Sequence, residues 1–260
     1  MTYDVWAVGD AYERYVGRWS RRVAASFVQR LAMPSGQRWV DVGCGTGALA
    51  QTVMATASPA MVVGLDPSAS FLSTARSRLA DAHFVAADAR VLPLRDDSAD
   101  VVVSGLAINF VPEPGRAAAE FARVTRPGGA VAAYVWDYAE GMLMMRHFWD
   151  AAAELDPVTA QDEGRRFPIC APDPLAALWT VAGLGNVTVD AITVPTVFAD
   201  FDDYWSPFLG GQGPAPAYTM SLPGEHRDSL RESIRARLPI AADGSISLTA
   251  RAWVVSGVAP

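Results

Sequence analysis

Eight consecutive residues, Val40-Asp41-Val42-Gly43-Cys44-Gly45-Thr46-Gly47, set one carboxylate before three alternate glycines. Glycine tolerates positive φ and lets a ligand lie against the main chain without meeting a Cβ, and a helix starting there offers unpaired N–H groups. Because Ala48 follows, the segment also satisfies G-x-G-x-x-A, so a nicotinamide or flavin dinucleotide stays open on this turn alone. Asp41 shifts the balance. A carboxylate there repels a pyrophosphate and attracts a cation such as a sulfonium carrying an ammonium group.

Two further acids follow at the ends of later apolar runs. Asp66, in Gly64-Leu65-Asp66-Pro67-Ser68, is placed to accept hydrogen bonds from both hydroxyls of a ribose. Asp88, in Ala86-Ala87-Asp88-Ala89, is placed to accept one from an adenine amino group. Cys44 sits near a helix start, where thiol pKa values fall, but its simpler role is that of a small residue filling the turn. The histidines His83, His147 and His226 have no metal-ligand spacing, so no metal is expected.

These residues need a scaffold that brings strand ends to one edge. Short continuous apolar runs at 38–42, 61–65, 82–86, 99–104 and 130–136 predict strands covered on both faces. Helical stretches at 46–57, 68–80 and 113–124 separate them, and Pro127-Gly128-Gly129 reads as the stop after the last. Strands alternating with helices predict βαβ units and a parallel, doubly wound sheet. Ahead of them, Tyr12, Tyr15, Val16, Trp19, Val23, Phe27 and Leu31 recur at three- and four-residue steps, the pattern of an amphipathic helical segment. Beyond Asp137, 141–155 and 175–184 read as helices, 187–194 alternates as a strand, and 245–258 reads as a long terminal strand. Between those strands, 196–239 is rich in aromatic residues and reads as a helical cap. The expectation is one domain over 1–260, with a core at 35–136.

The chain has 260 residues, 51% of them hydrophobic, which is enough for a sizeable buried core. All 21 basic residues are arginine, and the formal net charge is -7. That balance opposes a polyanion partner, so neither nucleic acid nor an anionic membrane is expected. Two cysteines cannot build a disulfide framework, and the first 22 residues lack the apolar centre of a signal peptide, so a cytoplasmic protein is expected.

The series Asp41 to Gly47, Asp66, Asp88 with Ala89, Leu92-Pro93-Leu94, Asp100 to Ser104 and Arg126-Pro127-Gly128-Gly129 resembles the motif series of class I S-adenosylmethionine-dependent methyltransferases over about residues 35–136. The resemblance implies a Rossmann-like α/β fold, a seven-stranded sheet of order 3-2-1-4-5-7-6 with the last strand antiparallel. It implies S-adenosyl-L-methionine as cofactor, with S-adenosyl-L-homocysteine as product. Asp41, Gly43, Cys44 and Gly45 would lie at the methionine moiety, Asp66 and Pro67 at the ribose, Asp88 and Ala89 at the adenine, and Ser104 beside the cofactor. Tyr12 to Ser20 is similar to the helix that closes over the cofactor in small-molecule members, with Arg18 or Trp19 at the methionine end.

The implied reaction is methyl transfer to an O, N or C atom of a small, partly apolar acceptor. The segment after the fourth strand, Ser104-Gly105-Leu106-Ala107-Ile108-Asn109-Phe110, lacks the Asn/Asp-Pro-Pro-Tyr run typical of enzymes that methylate amino groups of nucleic acids and protein amides. Asn109, Trp136, Tyr204, Trp205 and Phe208 are the candidate acceptor pocket, and Asp137 and His147 the candidate proton-handling residues. In-line displacement gains most from alignment and exclusion of water, so a dedicated base is optional. The competing readings are an NAD(P)-dependent oxidoreductase and a regulatory protein that binds the cofactor without catalysis.

Overall fold

The computed structural model describes residues 17–157, 162–210 and 213–260. The expected helical signature at Tyr12 to Val16 lies outside the described residues. The elements are helix α1 (Arg18–Leu31), β1 (Arg38–Val42), α2 (Ala48–Thr56), β2 (Met61–Asp66), α3 (Ala69–Arg78), β3 (His83–Ala86), β4 (Ala99–Gly105), α4 (Pro114–Val124) and β5 (Thr125–Trp136). There follow α5 (Leu143–Leu155), α6 (Glu163–Arg166), α7 (Pro172–Val181), β6 (Gly185–Phe198), α8 (Phe201–Trp205), α9 (Pro214–Ser221), α10 (Gly224–Arg237) and β7 (Ile246–Val258). Single 3-10 turns run over Ile108–Phe110 and Ser206–Gly210.

The seven strands form one sheet in the order β3-β2-β1-β4-β5-β7-β6, a Rossmann-like arrangement. β1 pairs in parallel with β2 and β4, with Val40 opposite both Val63 and Val102. β2 pairs in parallel with β3, and β4 with β5. β7 runs antiparallel to β5: Gly128 N donates to Ala259 O at 3.0 Å, while Asp137 N donates to Arg251 O at 2.9 Å, so one strand's numbering rises as the other's falls. The central strands are buried on both faces, which is why β1 and β4 read as continuous apolar runs.

Three boundaries differ from those read in the sequence. Arg126-Pro127-Gly128-Gly129, taken as a helix stop, belongs to β5, because the Gly128 amide and the Gly129 carbonyl are both taken up by Ala259. β6 begins at Gly185 and extends to Phe198, since Ile192, Val194, Thr196 and Phe198 keep facing inward on alternate positions. The cap therefore starts after Phe198 and not at Thr196.

The described chain falls into two compact units. One takes Ser20–Val135, Ile169–Ile192 and Ala252–Pro260. In it Val23 and Phe27 of α1 are fully buried, with Phe27 4.7 Å from the Tyr134 ring, and the Trp179 indole donates to Val131 O at 3.0 Å. Of the described residues, the other takes 17–19, 136–157, 162–168, 193–210 and 213–251. Its core is aromatic: Phe148 stacks on Phe208 at 4.6 Å and meets Trp149 edge-on at 5.0 Å.

Candidate active site

In the unit that holds β1 to β4, the chain leaves β1 through the glycine turn. Gly43, Gly45 and Gly47 have φ of 74°, 53° and 88°, a region where side-chain-bearing residues are strained. A Cβ on Gly43 would sit 2.3 Å from the Ala107 Cβ, so the segment after β4 lies directly on the turn. Gly43 and Cys44 both donate their amides to Leu65 O, at 2.7 and 3.1 Å, which ties the turn to the end of β2. Gly47 caps α2 without a side-chain hydrogen bond, leaving that helix start to its own amides.

Asp41 is 1% exposed, and neither carboxylate oxygen has a hydrogen-bond partner. Burial pushes its pKa up to about 7; the nearby Ala50 amide offsets this in part, and Asp66 adds to it. An unpaired buried carboxylate is costly, so it marks a place where a cationic or hydrogen-bonding partner fits. Asp66 is buried too, with one oxygen accepting from Gly45 N at 3.0 Å and the other from Ser68 N at 2.8 Å. Burial raises its pKa while those two amides oppose the rise. Each oxygen keeps a further lone pair for a diol.

Asp88 is exposed and gripped by Arg90, whose Nε and Nη2 reach it at 3.0 and 2.6 Å, while Arg90 N donates at 2.9 Å. The Arg90 guanidinium holds its pKa at about 2. Arg90 also reaches Glu113 at 3.1 Å, a partnership that no local pattern in the sequence announced. Pro67 is exposed, Ala89 half-buried and Ser104 buried at the end of β4. Asn109, on the 3-10 turn after β4, is buried with both side-chain amide atoms unpartnered. Cys44 is buried, and burial together with Asp41 and Asp66 pushes its thiol well above the ordinary range, which removes it as a nucleophile.

The remaining expected residues lie in the second unit. Arg18 Nη1 donates to both oxygens of Asp203, at 3.0 and 3.2 Å, and its guanidinium lies 4.4 and 4.7 Å from the ring centres of Trp19 and Phe198. Trp136 is buried with its indole N–H unpartnered. Asp137 receives Arg251 Nε at 2.6 Å and the Glu140 amide at 3.1 Å, so it anchors the end of β5. His147 is half-buried on α5, and desolvation lowers its pKa against the pull of Asp150. Tyr204 donates to Met144 O at 2.7 Å, and with Trp205 and Phe208 it fills the aromatic core. Arg251 and Thr196 were not among the expected residues. Among the described residues no group of three or more His, Cys, Asp or Glu side chains could hold a metal ion.

A mixed sheet of this order, with a glycine turn after β1 and acids at the ends of β1 and β2 and beyond β3, forms a Rossmann-like α/β frame. Residues 40–133 match the family described as methyltransferase domain. The demethylmenaquinone methyltransferase of Renibacterium salmoninarum is 36% identical over 129 residues, 50% of each chain. The malonyl-[acyl-carrier protein] O-methyltransferase of Serratia marcescens is 34% identical over 134 residues, 48% of this chain and 51% of that one. The chain thus spans about half the length of the curated relatives it matches. The solved phosphoethanolamine N-methyltransferase 2 of Haemonchus contortus, in complex with S-adenosyl-L-methionine, superposes with a TM-score of 0.60 at 18% identity, covering 96% of this chain and 56% of that one. Residues 40–133 are thus similar to methyltransferase domains, on a fold shared with solved S-adenosylmethionine-dependent methyltransferases.

Proposed function

We propose that the protein transfers the methyl group of S-adenosyl-L-methionine to an O, N or C atom of a small, partly apolar molecule. The observation that carries this reading is the buried, unpartnered Asp41 carboxylate beneath the glycine turn. A carboxylate at that point favours a cationic cofactor, which would hold it ionised, and disfavours the pyrophosphate of a dinucleotide. Asp41, Gly43, Cys44 and Gly45 would hold the methionine end, Asp66 and Pro67 the ribose, and Asp88 with Ala89 the adenine. Ser104 would flank the cofactor. The bound cofactor supplies an electrophilic methyl on a sulfonium.

The chain's own contribution is to bind, align and exclude water, with the buried Asn109 amide on the acceptor side of β4. Of the expected pocket residues, Tyr204, Trp205 and Phe208 pack the aromatic core, which leaves Trp136, with its unpartnered indole N–H, as the candidate for the acceptor's apolar surroundings; Asp137 and His147 are the proton-handling candidates. The two relatives are named for a demethylmenaquinone and for a malonyl group on an acyl-carrier protein, and the family match lies within residues 40–133, so the acceptor has to be found by experiment. Both cysteines are free thiols, and no helix among the described residues is long and apolar enough to cross a membrane; these support a cytoplasmic enzyme. The net charge of -7 supports a partner other than nucleic acid.

The test is an acceptor screen in which S-adenosylhomocysteine formation and a product heavier by one methylene are followed together. Stoichiometric growth of both identifies the acceptor. Cofactor binding with no turnover across a broad panel of small molecules speaks for the non-catalytic reading instead.

A further inference from the structure

The second unit contains a charged group with half of its hydrogen-bonding edge unused. Arg18 pairs with Asp203 through Nη1 alone, whereas Nε and Nη2 are buried and have no partner. Those two nitrogens form the side edge of the guanidinium, the edge that meets both oxygens of a carboxylate in a bidentate pair. The Trp19 and Phe198 rings, 4.4 and 4.7 Å from the Arg18 carbon centre, hold that edge in a fixed plane. Thr196 is the preceding inward-facing residue of β6 before Phe198. It is 0% exposed, and its hydroxyl has no partner. A buried strand position of this kind ordinarily carries valine or isoleucine, and a buried hydroxyl without a partner is costly.

We infer that Arg18 and Thr196, walled by Trp19 and Phe198, form a carboxylate-binding subsite for the acceptor, in place of the methionine-end role that the resemblance implies for Arg18 and Trp19, so that the acceptor is a small organic acid with an apolar or aromatic body. This rests on the methyl-transfer reading above. Two charge-assisted bonds from Arg18 would grip the acid, and Thr196 would donate a third. Asp203 already pairs with the guanidinium's single positive charge and fixes its orientation, so the acid would be held through the free Nε and Nη2 donors. Thr196, Phe198 and Asp203 all lie outside residues 40–133, the stretch that matches the family. A subsite built there suits the acceptor, whose chemistry varies between members, better than the shared cofactor.

The experiment uses the full chain saturated with S-adenosylhomocysteine. Binding of benzoate, phenylacetate and indole-3-acetate is compared with that of their neutral amides by calorimetry, in wild type, Thr196→Val and Arg18→Met. At least one acid is expected to bind, with its amide ~10-fold weaker or worse. Thr196→Val should lose several-fold of the acid's affinity while leaving S-adenosylhomocysteine binding unchanged, and Arg18→Met should lose ~10-fold or more. Acids that bind no better than amides, or a Thr196→Val variant that binds the acid as wild type does, would overturn the inference. So would a large loss of S-adenosylhomocysteine affinity in Arg18→Met with acid binding intact, because the guanidinium would then serve the cofactor's own carboxylate. Failure of S-adenosylhomocysteine to bind wild type would instead sink the methyl-transfer reading, and is seen in the same titrations.

Discussion

The Asp66 carboxylate fastens the glycine turn from below: one oxygen accepts the Gly45 amide at 3.0 Å while the other accepts the Ser68 amide at 2.8 Å. An acid at the end of β2 thereby shapes the loop that leaves β1, before any ribose is bound. Asp66→Ala leaves two backbone amides near the turn without their acceptor. The expected cost is ~1–3 kcal/mol of stability, read from urea denaturation, together with at least ~10-fold weaker S-adenosylhomocysteine binding. Unchanged cofactor affinity would remove Asp66 from the ribose site.

Gly43 and Gly45 both have positive φ, but only Gly43 lacks room for a side chain. Gly45→Ala meets nothing within 4 Å and should cost ~1 kcal/mol from backbone strain alone. Gly43→Ala drives a Cβ to 2.3 Å from that of Ala107 and must displace the segment after β4. Thermal denaturation should show the larger loss for Gly43→Ala, and cofactor binding should fail in that variant first.

Asp41 makes stability depend on pH in a definite direction. Its pKa is about 7 in the folded chain against an ordinary 3.8, so between those values the folded state holds a proton that the unfolded state lacks. Stability therefore falls as pH rises from about 4 to about 7 and stays low above that. Asp41→Asn removes this contribution, so its advantage over the cofactor-free wild type should grow across that range to a few kcal/mol and then level off. Cofactor affinity should run the other way in wild type, weakening as pH falls below about 7, because the protonated acid no longer attracts a cation. A stability difference between the two proteins that does not change with pH would refute the assignment.

Arg251 and Asp137 form the pair that closes the end of β5 onto β7, and Asp137 is only 3% exposed in that pair. Removing the arginine strands a buried charge. Arg251→Met is expected to cost ~3 kcal/mol, measured by chemical denaturation, and Asp137→Asn less, since a neutral amide keeps the Glu140 contact. If Arg251→Met is neutral, the pair holds nothing together.

Much of this was legible in the sequence, for reasons that differ by residue. The run Arg38–Val42 and the turn after it are local: apolar continuity marks a strand covered on both faces, and glycine spacing marks a sharp turn. The order of the seven strands followed from resemblance, not from any pattern within the chain. Pro127 and Gly128 misled because the usual turn signals stop short of a ladder made by Ala259, far along the chain. Thr196 hid for a related reason: one hydroxyl does not break an alternating pattern, so the strand's true end at Phe198 passed for cap. The pairs Arg18 with Asp203 and Asp137 with Arg251 are 185 and 114 residues apart, and no spacing rule connects such partners. Asp88 lies two residues past the end of β3, and its close grip by Arg90 depends on side-chain reach that a motif does not encode.

The measurement that bears most directly on the central claim is a calorimetric titration of the purified protein with S-adenosylmethionine, S-adenosylhomocysteine and NADH, in wild type and Asp41→Asn. The account predicts micromolar binding of the first two, none of NADH, and a loss in Asp41→Asn that is larger for the sulfonium than for the neutral thioether. NADH binding that improves when Asp41 is neutralised, or no binding of S-adenosylmethionine at all, would contradict it.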